Sequence, residues 1–333
     1  GAVFVQKQFA VGGLDNFVSS SYRWGGRLLF TWPLQLISLV TCSLGLYAFS
    51  RVFGAGQYGV VTIAGSAKLG ILGLIVANLV AVFLHEMSHA LTVKHYGREV
   101  RRGGFMIYFG MPAFFVDTTD IWLDGKRARL AVTWAGPYSG LILGGAASLI
   151  LVFWPSFGLN PLLFQFAFLS YLTVFLNLNP LLELDGYYLL MDWLDIPLLR
   201  RKSLEFIRSG VWVRAIATRE AGGGTRDLLT SFSQEERVFA VFGLLSAAWT
   251  AYAILMGAYF WQQRLAGALR NLWTGGGEVT KIALSLGIAA IATVFVLSIG
   301  LTMLRAARKA LAWATQRGLL AKPWNLAALL FLL

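Results

Sequence analysis

Between Leu69 and Val93 the chain runs for 25 residues with Glu86 as its only Asp, Glu, Lys or Arg. About 20 apolar residues in a helix cross the hydrocarbon of a bilayer, so this stretch is predicted to span one. Inside it lies Leu84-His85-Glu86-Met87-Ser88-His89-Ala90. On a helix His85 and His89 stand one turn apart on one face, where both imidazoles reach a single zinc ion and Glu86 stands beside them as a proton acceptor. Each ionisable side chain in mid-membrane costs about 2.5 to 3.5 kcal/mol on insertion scales, so three within five residues require a compensating partner. A bound cation supplies one. With three histidines in the whole chain, a chance match to this spacing is a poor account.

Composition fixes the solvent. The chain is 57% hydrophobic and 13% charged, with a mean hydropathy of +0.66, which is the composition of an integral membrane protein. A net charge of +12 could suit nucleic acid, but the basic residues lie between apolar runs and not on one solvated face, so they read as topology signals. The lone Cys42 can form no internal disulfide.

Six apolar segments are long enough to span: 28–49, 69–93, 128–154, 161 to about 184, 238–261 and 282–304. A seventh apolar stretch begins near Trp324. With the N-terminus inside, 23 of the 28 Lys and Arg residues fall in inside segments and 5 in outside ones. The excess of basic residues on one side predicts a cytoplasmic N-terminus. His85 then lies about 13 Å from the cytoplasmic end of its helix, at 1.5 Å per residue, so the metal is expected within the inner leaflet.

A catalytic zinc takes a third protein ligand and keeps one position open for water. His95 follows His89 at the spacing of a third metalloprotease histidine, but Thr92 stands where a glycine would turn the chain back. Continuous helix puts His95 about 240° round the axis from His89, which makes it an interfacial residue. A better candidate lies in Asn177-Leu178-Asn179-Pro180-Leu181-Leu182-Glu183-Leu184-Asp185-Gly186. Pro180 disturbs the helix, which membrane depth tolerates only beside protein or a water-filled cavity. Asp185 then stands at the depth of the two histidines; a capping role for it is the alternative.

The pairing of His85-Glu86-Met87-Ser88-His89 with Asn177 to Gly186 resembles the site-2 protease family of intramembrane zinc metalloproteases. The resemblance covers roughly 69–195. It implies that His85, His89 and Asp185 hold zinc, that Glu86 is the general base and that Asn177 positions substrate. It also implies membrane-anchored protein or peptide precursors as substrates. Two positions depart from the family pattern: Leu182 stands where many members have a second proline, and Gly140 where they have an asparagine.

Other segments extend this reading. Gly136, Gly140 and Gly144 recur every four residues and give the third span a face for close helix approach. Residues 103–117 are aromatic but too short to span, and read as two strands turning around Gly110-Met111-Pro112 and dipping into the inner leaflet. The edge of such a hairpin, from Phe105 to Phe115, could pair with an extended substrate, or the hairpin could simply anchor. Asp117, Asp120 and Asp124 with Lys126, Arg127 and Arg129 read as a solvated charged loop. Residues 197–208 suit a helix on the anionic membrane face, Gly222-Gly223-Gly224 a link, and Ser233-Gln234-Glu235-Glu236 a helix cap.

The expected architecture is therefore an all-α polytopic membrane protein with about six transmembrane helices, a three-helix metalloprotease core and a short re-entrant hairpin. Its parts are 1–68, the N-terminal segment and first span; 69–195, the zinc core; 196–237, an amphipathic stretch and linker; and 238–333, the last spans and tail. Two alternatives stand beside the protease reading. One is a catalytically silent relative serving as accessory to a peptide export system. The other is a different membrane zinc protease that uses Glu183 in place of Asp185.

Overall fold

A computed structural model describes residues 7–10, 12–108, 111–211 and 232–260, with scattered residues between 262 and 300. Residues 4–249 form one compact unit, and 1–3 with 250–333 form a second. The described residues are mostly helical.

In chain order the first unit contains β1 (Lys7–Ala10), α1 (Leu14–Trp24), α2 (Trp32–Gly54), α3 (Ala67–His95), β2 (Gly103–Tyr108) and β3 (Met111–Val116). After them come α4 (Lys126–Phe153), α5 (Asn160–Asn177), α6 (Asp185–Leu194), α7 (Leu199–Glu205) and α8 (Gln234–Phe260), which runs on past the unit's boundary. Among the described residues, four helices are long and apolar enough to cross a membrane: Trp32–Gly54, Ala67–His95, Lys126–Phe153 and Gln234–Met256. Their outer faces carry exposed Leu36, Ile37, Leu72, Ile75, Leu244 and Leu245, a surface matched to hydrocarbon and not to water. These helices answer to the first, second, third and fifth expected spans.

The fourth expected span needs correction. Its helix, α5, has 18 residues and stops at Asn177 instead of continuing to about residue 184. Pro180 has no N–H to give to a helix and disfavours helical backbone at the residue before it. The Asn179 side chain accepts the Leu181 N–H at 2.9 Å, a local turn that competes with further helix. The sixth expected span, the stretch from Trp324 and the glycine link at 222–224 lie largely or wholly outside the described residues.

Local signals explain the helix ends. Residues Gly26–Phe30 form a 3-10 turn and α2 begins at Trp32, because Pro33 in the first turn lacks only an N–H that a helix start leaves unpaired. The side chain of Ser66 caps α3 by accepting the Leu69 N–H. For α8, Glu236 N–H donates to Ser233 Oγ at 3.2 Å and Ser233 N–H to a Glu236 carboxylate oxygen at 2.8 Å, the reciprocal box expected there.

Helix α4 packs against α2, α3, α5 and α6. Glycines permit the closeness. A Cβ at Gly145 would lie 2.6 Å from the Thr41 carbonyl oxygen of α2, one at Gly140 would lie 2.6 Å from Val174 Cγ2 of α5, and one at Gly144 would lie 3.2 Å from Ser170 of α5. Where α1, α3 and α4 meet, Val18, Ala90, Val93, Val100, Ile121, Ala128 and Val132 form a buried cluster.

The hairpin falls within the expected 103–117, but Met111 and Pro112 belong to β3 and not to the turn, and it gains a third strand. β1 pairs antiparallel with β2, and β2 with β3, in the order β1-β2-β3. Phe9 pairs with Phe105 and Phe105 with Phe114. Asp117 N–H donates to the Arg102 carbonyl at 2.7 Å, and this phase turns the backbone groups of Val116, Phe114 and Pro112 away from β2. Pro112 is tolerated there because its missing N–H falls on the outer edge.

The segment after Asp195 is only partly a surface helix. Leu199 is fully buried and clusters with Tyr187, Met191, Ile196 and Phe242, so α7 packs on α6 and α8 through one face. The charged stretch before α4 is likewise no plain solvated loop. Arg98 donates to both Asp124 oxygens at 2.7 and 3.1 Å, Arg101 pairs with Asp120 at 2.8 Å, and Arg129 donates to Asp192 at 2.9 Å.

Candidate metal centre

His85 and His89 fall on the inner face of α3 and are buried. Asp185 is the first residue of α6, so it reaches the site from the start of a new helix and not from the span that precedes it. His85 Nε2 lies 3.0 Å from Asp185 Oδ2, His89 Nε2 lies 3.6 Å from Asp185 Oδ1, and the two Nε2 atoms are 3.2 Å apart. One ligand atom from each residue lies within 4.8 Å of the others, the grouping a single ion requires.

The donor set can be tested against zinc. Tetrahedral donors held 2.0 to 2.2 Å from one zinc stand about 3.3 to 3.6 Å apart; the observed 3.0, 3.2 and 3.6 Å, measured to both Asp185 oxygens, run from just below that range to its upper edge. The protonation pattern agrees. His89 Nδ1 lies 2.6 Å from the Val132 carbonyl oxygen of α4; a carbonyl can only accept, so Nδ1 carries the hydrogen and Nε2 presents its lone pair to the cluster. Two imidazole nitrogens and one carboxylate oxygen are a donor set that zinc takes in hydrolytic sites.

Close packing shapes the site. A Cβ at Gly136 of α4 would lie 2.5 Å from His85 Nε2 and closer still to His89 Nε2. Helix α4 can pass behind the imidazoles only with glycine here. Gly186, next to Asp185, meets the Leu178 backbone so closely that a Cβ would overlap it. The break between α5 and α6 therefore folds back on itself and brings Asp185 beside Asn177. The Asn177 Nδ2 stands 3.4 Å from both His85 Nε2 and Asp185 Oδ2.

Glu86 lines a cavity of about 550 Å³ together with His89, Asp185, Asp117, Thr119 and Arg129. Its carboxylate faces the backbone N–H of Val116 at the end of β3. All five residues singled out in the sequence, His85, Glu86, His89, Asn177 and Asp185, thus lie around one centre. Glu183 does not join it: its carboxylate is 3.5 Å from Arg200. His95 lies at the far end of α3, where its ring stacks on Phe30 with centroids 4.1 Å apart and its Nδ1 is 3.0 Å from the Tyr22 hydroxyl.

Sequence reasoning did not find the parts that hold α6. Arg129 on α4 also approaches Asp195 at 3.2 Å, and Lys126 Nζ donates to the Trp193 carbonyl at 2.7 Å. These contacts fasten the C-terminal end of the helix whose first residue is Asp185. A basic pair at a helix C-terminus is a recognised stabilising pattern, but these bases come from 63 residues away or more, and nothing local marks the partnership. The Val132 carbonyl has no sequence signal at all.

Two known proteins are similar to parts of the chain. The Bacillus subtilis (strain 168) protein YydH, named "Putative peptide zinc metalloprotease protein", is 26% identical over 141 residues, which cover 42% of this chain and 54% of YydH. The uncharacterised protein MJ0971 of Methanocaldococcus jannaschii is 34% identical over 71 residues, 21% of this chain and 20% of its own. The chain thus spans about half the length of the first and a fifth of the second. No protein-family profile matches it, and no solved structure does. The cluster of His85, His89 and Asp185 sits in a chain that resembles, over part of its length, a protein named for peptide hydrolysis with zinc.

Proposed function

We propose that the protein is an intramembrane zinc metalloprotease of the site-2 type, hydrolysing peptide bonds within or next to the membrane segments of anchored proteins or peptide precursors. The observation that carries this reading is the convergence of Asp185 on the two α3 histidines at zinc-ligand spacing, with Glu86 on the wall of the adjoining cavity. The name of YydH supports the peptidase chemistry.

His85, His89 and Asp185 hold the metal, which when bound supplies Lewis-acid polarisation of the scissile carbonyl and lowers the pKa of water. Glu86 accepts the proton of the attacking water and delivers it to the leaving amine. The Val132 carbonyl keeps His89 in the ligating tautomer, and Asn177 steadies Asp185 and the substrate beside it. A helical substrate hides its carbonyls in internal hydrogen bonds, so it must be extended before attack. The outward backbone groups of Phe114 and the outward carbonyl of Val116 on β3 offer main-chain pairing to such a strand. The excess of basic residues in alternate segments supports a cytoplasmic N-terminus and a site on that side. Water reaches the site through the polar cavity from that side.

The test uses the full chain in lipid vesicles with a panel of single-span reporter proteins. Wild type cleaves members of the panel, and Glu86→Gln retains zinc while losing the roughly 100-fold or more that a general base contributes. Equal processing by the two removes the enzyme claim and leaves the export-accessory reading. Zinc content separates the ligand sets: Asp185→Ala loses the metal and Glu183→Ala keeps it, and the reverse result would replace Asp185 by Glu183.

A further inference from the structure

A second cavity, of about 390 Å³, lies on the other side of Glu86. Phe17 of α1, Phe83 and Met87 of α3, and Phe105, Phe114 and Phe115 of the sheet surround it, and Glu86 is its only side chain with a polar group. Glu86 and Val116 are the two residues that line both cavities. The aromatic wall is organised edge to face: Phe83 and Phe114 have centroids 5.3 Å apart at 70°, and Phe105 and Phe114 6.0 Å apart at 74°. That is the preferred geometry of packed rings and gives the cavity a built, ordered lining.

The two chambers differ in chemistry. One sets Asp117, Thr118, Thr119, Arg129 and Asp192 beside Ile121, Trp122 and Val132; the other is hydrocarbon apart from the base. An extended chain laid across the strip between them sends successive side chains to opposite sides. A bond brought to Glu86 by such a chain therefore has one flanking side chain in the apolar chamber and its neighbour in the polar one.

We infer that the apolar chamber is a specificity pocket for the substrate, taking a bulky hydrophobic side chain such as Phe, Leu or Met at one position flanking the cleaved bond, while the adjacent position is small or polar. This rests on the proteolytic reading above and adds the class of sequence that is cut. The occupant is a substrate side chain and not a lipid chain, because the chamber opens onto the catalytic carboxylate and is continuous with the β3 edge. A hydrophobic pocket of this kind separates large from small side chains by about 10-fold or more in kcat/KM.

The test is a peptide library randomised around a membrane-anchored segment, incubated with the zinc-loaded full chain and its Glu86→Gln variant, with products sequenced by mass spectrometry. Wild type is expected to enrich Phe, Leu and Met over Ala about 10-fold at a single position beside the cut. Gly12→Trp adds bulk at the rim of the chamber, whose lining includes Gly12 and where an added Cβ meets nothing within 4 Å. It should bring that preference to about unity with zinc content and cleavage of Ala-containing members unchanged. Phe17→Ala, at an exposed site, should widen acceptance towards Trp. Glu86-dependent cleavage with no such preference, or with a preference that neither variant alters, overturns the pocket and leaves the protease reading standing. Absence of any Glu86-dependent cleavage from a zinc-loaded protein overturns that reading and the pocket with it.

Discussion

Helix α3 and the junction between α5 and α6 supply the same centre by opposite means. On α3 the two histidines sit on 29 residues of unbroken helix, and their mutual spacing follows from the pitch alone. Asp185 arrives from seven residues that are not helical, between Asn177 and Asp185, and depends on contacts far from the ion. The Asn179 turn ends one helix, Gly186 lets the next begin against the Leu178 backbone, and Arg129 and Lys126 hold the far end of α6. One half of the site is thus local and the other tertiary. The local half should fail only when its immediate surroundings are filled, whereas the tertiary half should fail from a distance.

The sharpest way to break the contrast is Gly136→Ala. The added methyl would lie within 2.5 Å of His85 Nε2, directly among the ligand atoms. Zinc affinity should drop by roughly 100-fold or more, at or beyond the upper end of the range for changes just outside the ligands. Isothermal titration in detergent, with helix content followed by circular dichroism, would separate this from unfolding. Unchanged affinity would show that the α3 half tolerates crowding and is not set by α4.

Gly186→Ala probes the other half. Its Cβ would overlap the Leu178 backbone, overpacking that costs about 1 to 3 kcal/mol of stability, and it would displace the neighbouring ligand. Zinc affinity should fall about 10- to 100-fold. A more remote version is Arg129→Met, which strips the buried Asp192 of its counter-charge at the opposite end of α6. About a tenfold loss of zinc affinity is expected, with partial recovery in Arg129→Met/Asp192→Leu, since an apolar pair can replace a buried ion pair. If Arg129→Met lowers thermal stability and leaves zinc affinity untouched, α6 does not transmit its anchoring to Asp185.

The same division governs what could be read from the residues. Helix α3, its histidine pair and its apolar length were legible because periodicity and composition are local properties. The Asp185 assignment was legible only through the motif resemblance and a depth argument; that α5 would stop at Asn177 was not, although Pro180 was the signal for it. The hairpin was visible in Phe105 to Phe115, but β1 was not, because a four-residue strand becomes a strand only by pairing with β2. Arg129 was read as part of a solvated charged loop and Asp192 was not singled out, since their contact spans 63 residues. Gly136 was read as part of a packing stripe, yet its nearest neighbours are the ligand imidazoles themselves.

The smallest effect belongs to an ion pair on the local side. Arg98, just beyond α3, donates to both oxygens of Asp124, just before α4. The hydrogen bonds from Arg98 hold the Asp124 carboxyl below its ordinary value of 3.8. A carboxylate whose pKa is lower in the folded state adds stability that is fully present above the unfolded pKa and is lost as pH falls through the folded one. Melting temperature should therefore decline as pH is lowered below about 4, and part of that decline should vanish in Arg98→Gln. The pair is solvent-screened, so the shift should be small. Zinc affinity at neutral pH should not change, because neither residue touches α6 or the ligands. A loss of zinc in Arg98→Gln comparable to that in Arg129→Met would erase the distinction between the two halves, since it would make the α3 side as dependent on distant anchoring as the side that carries Asp185.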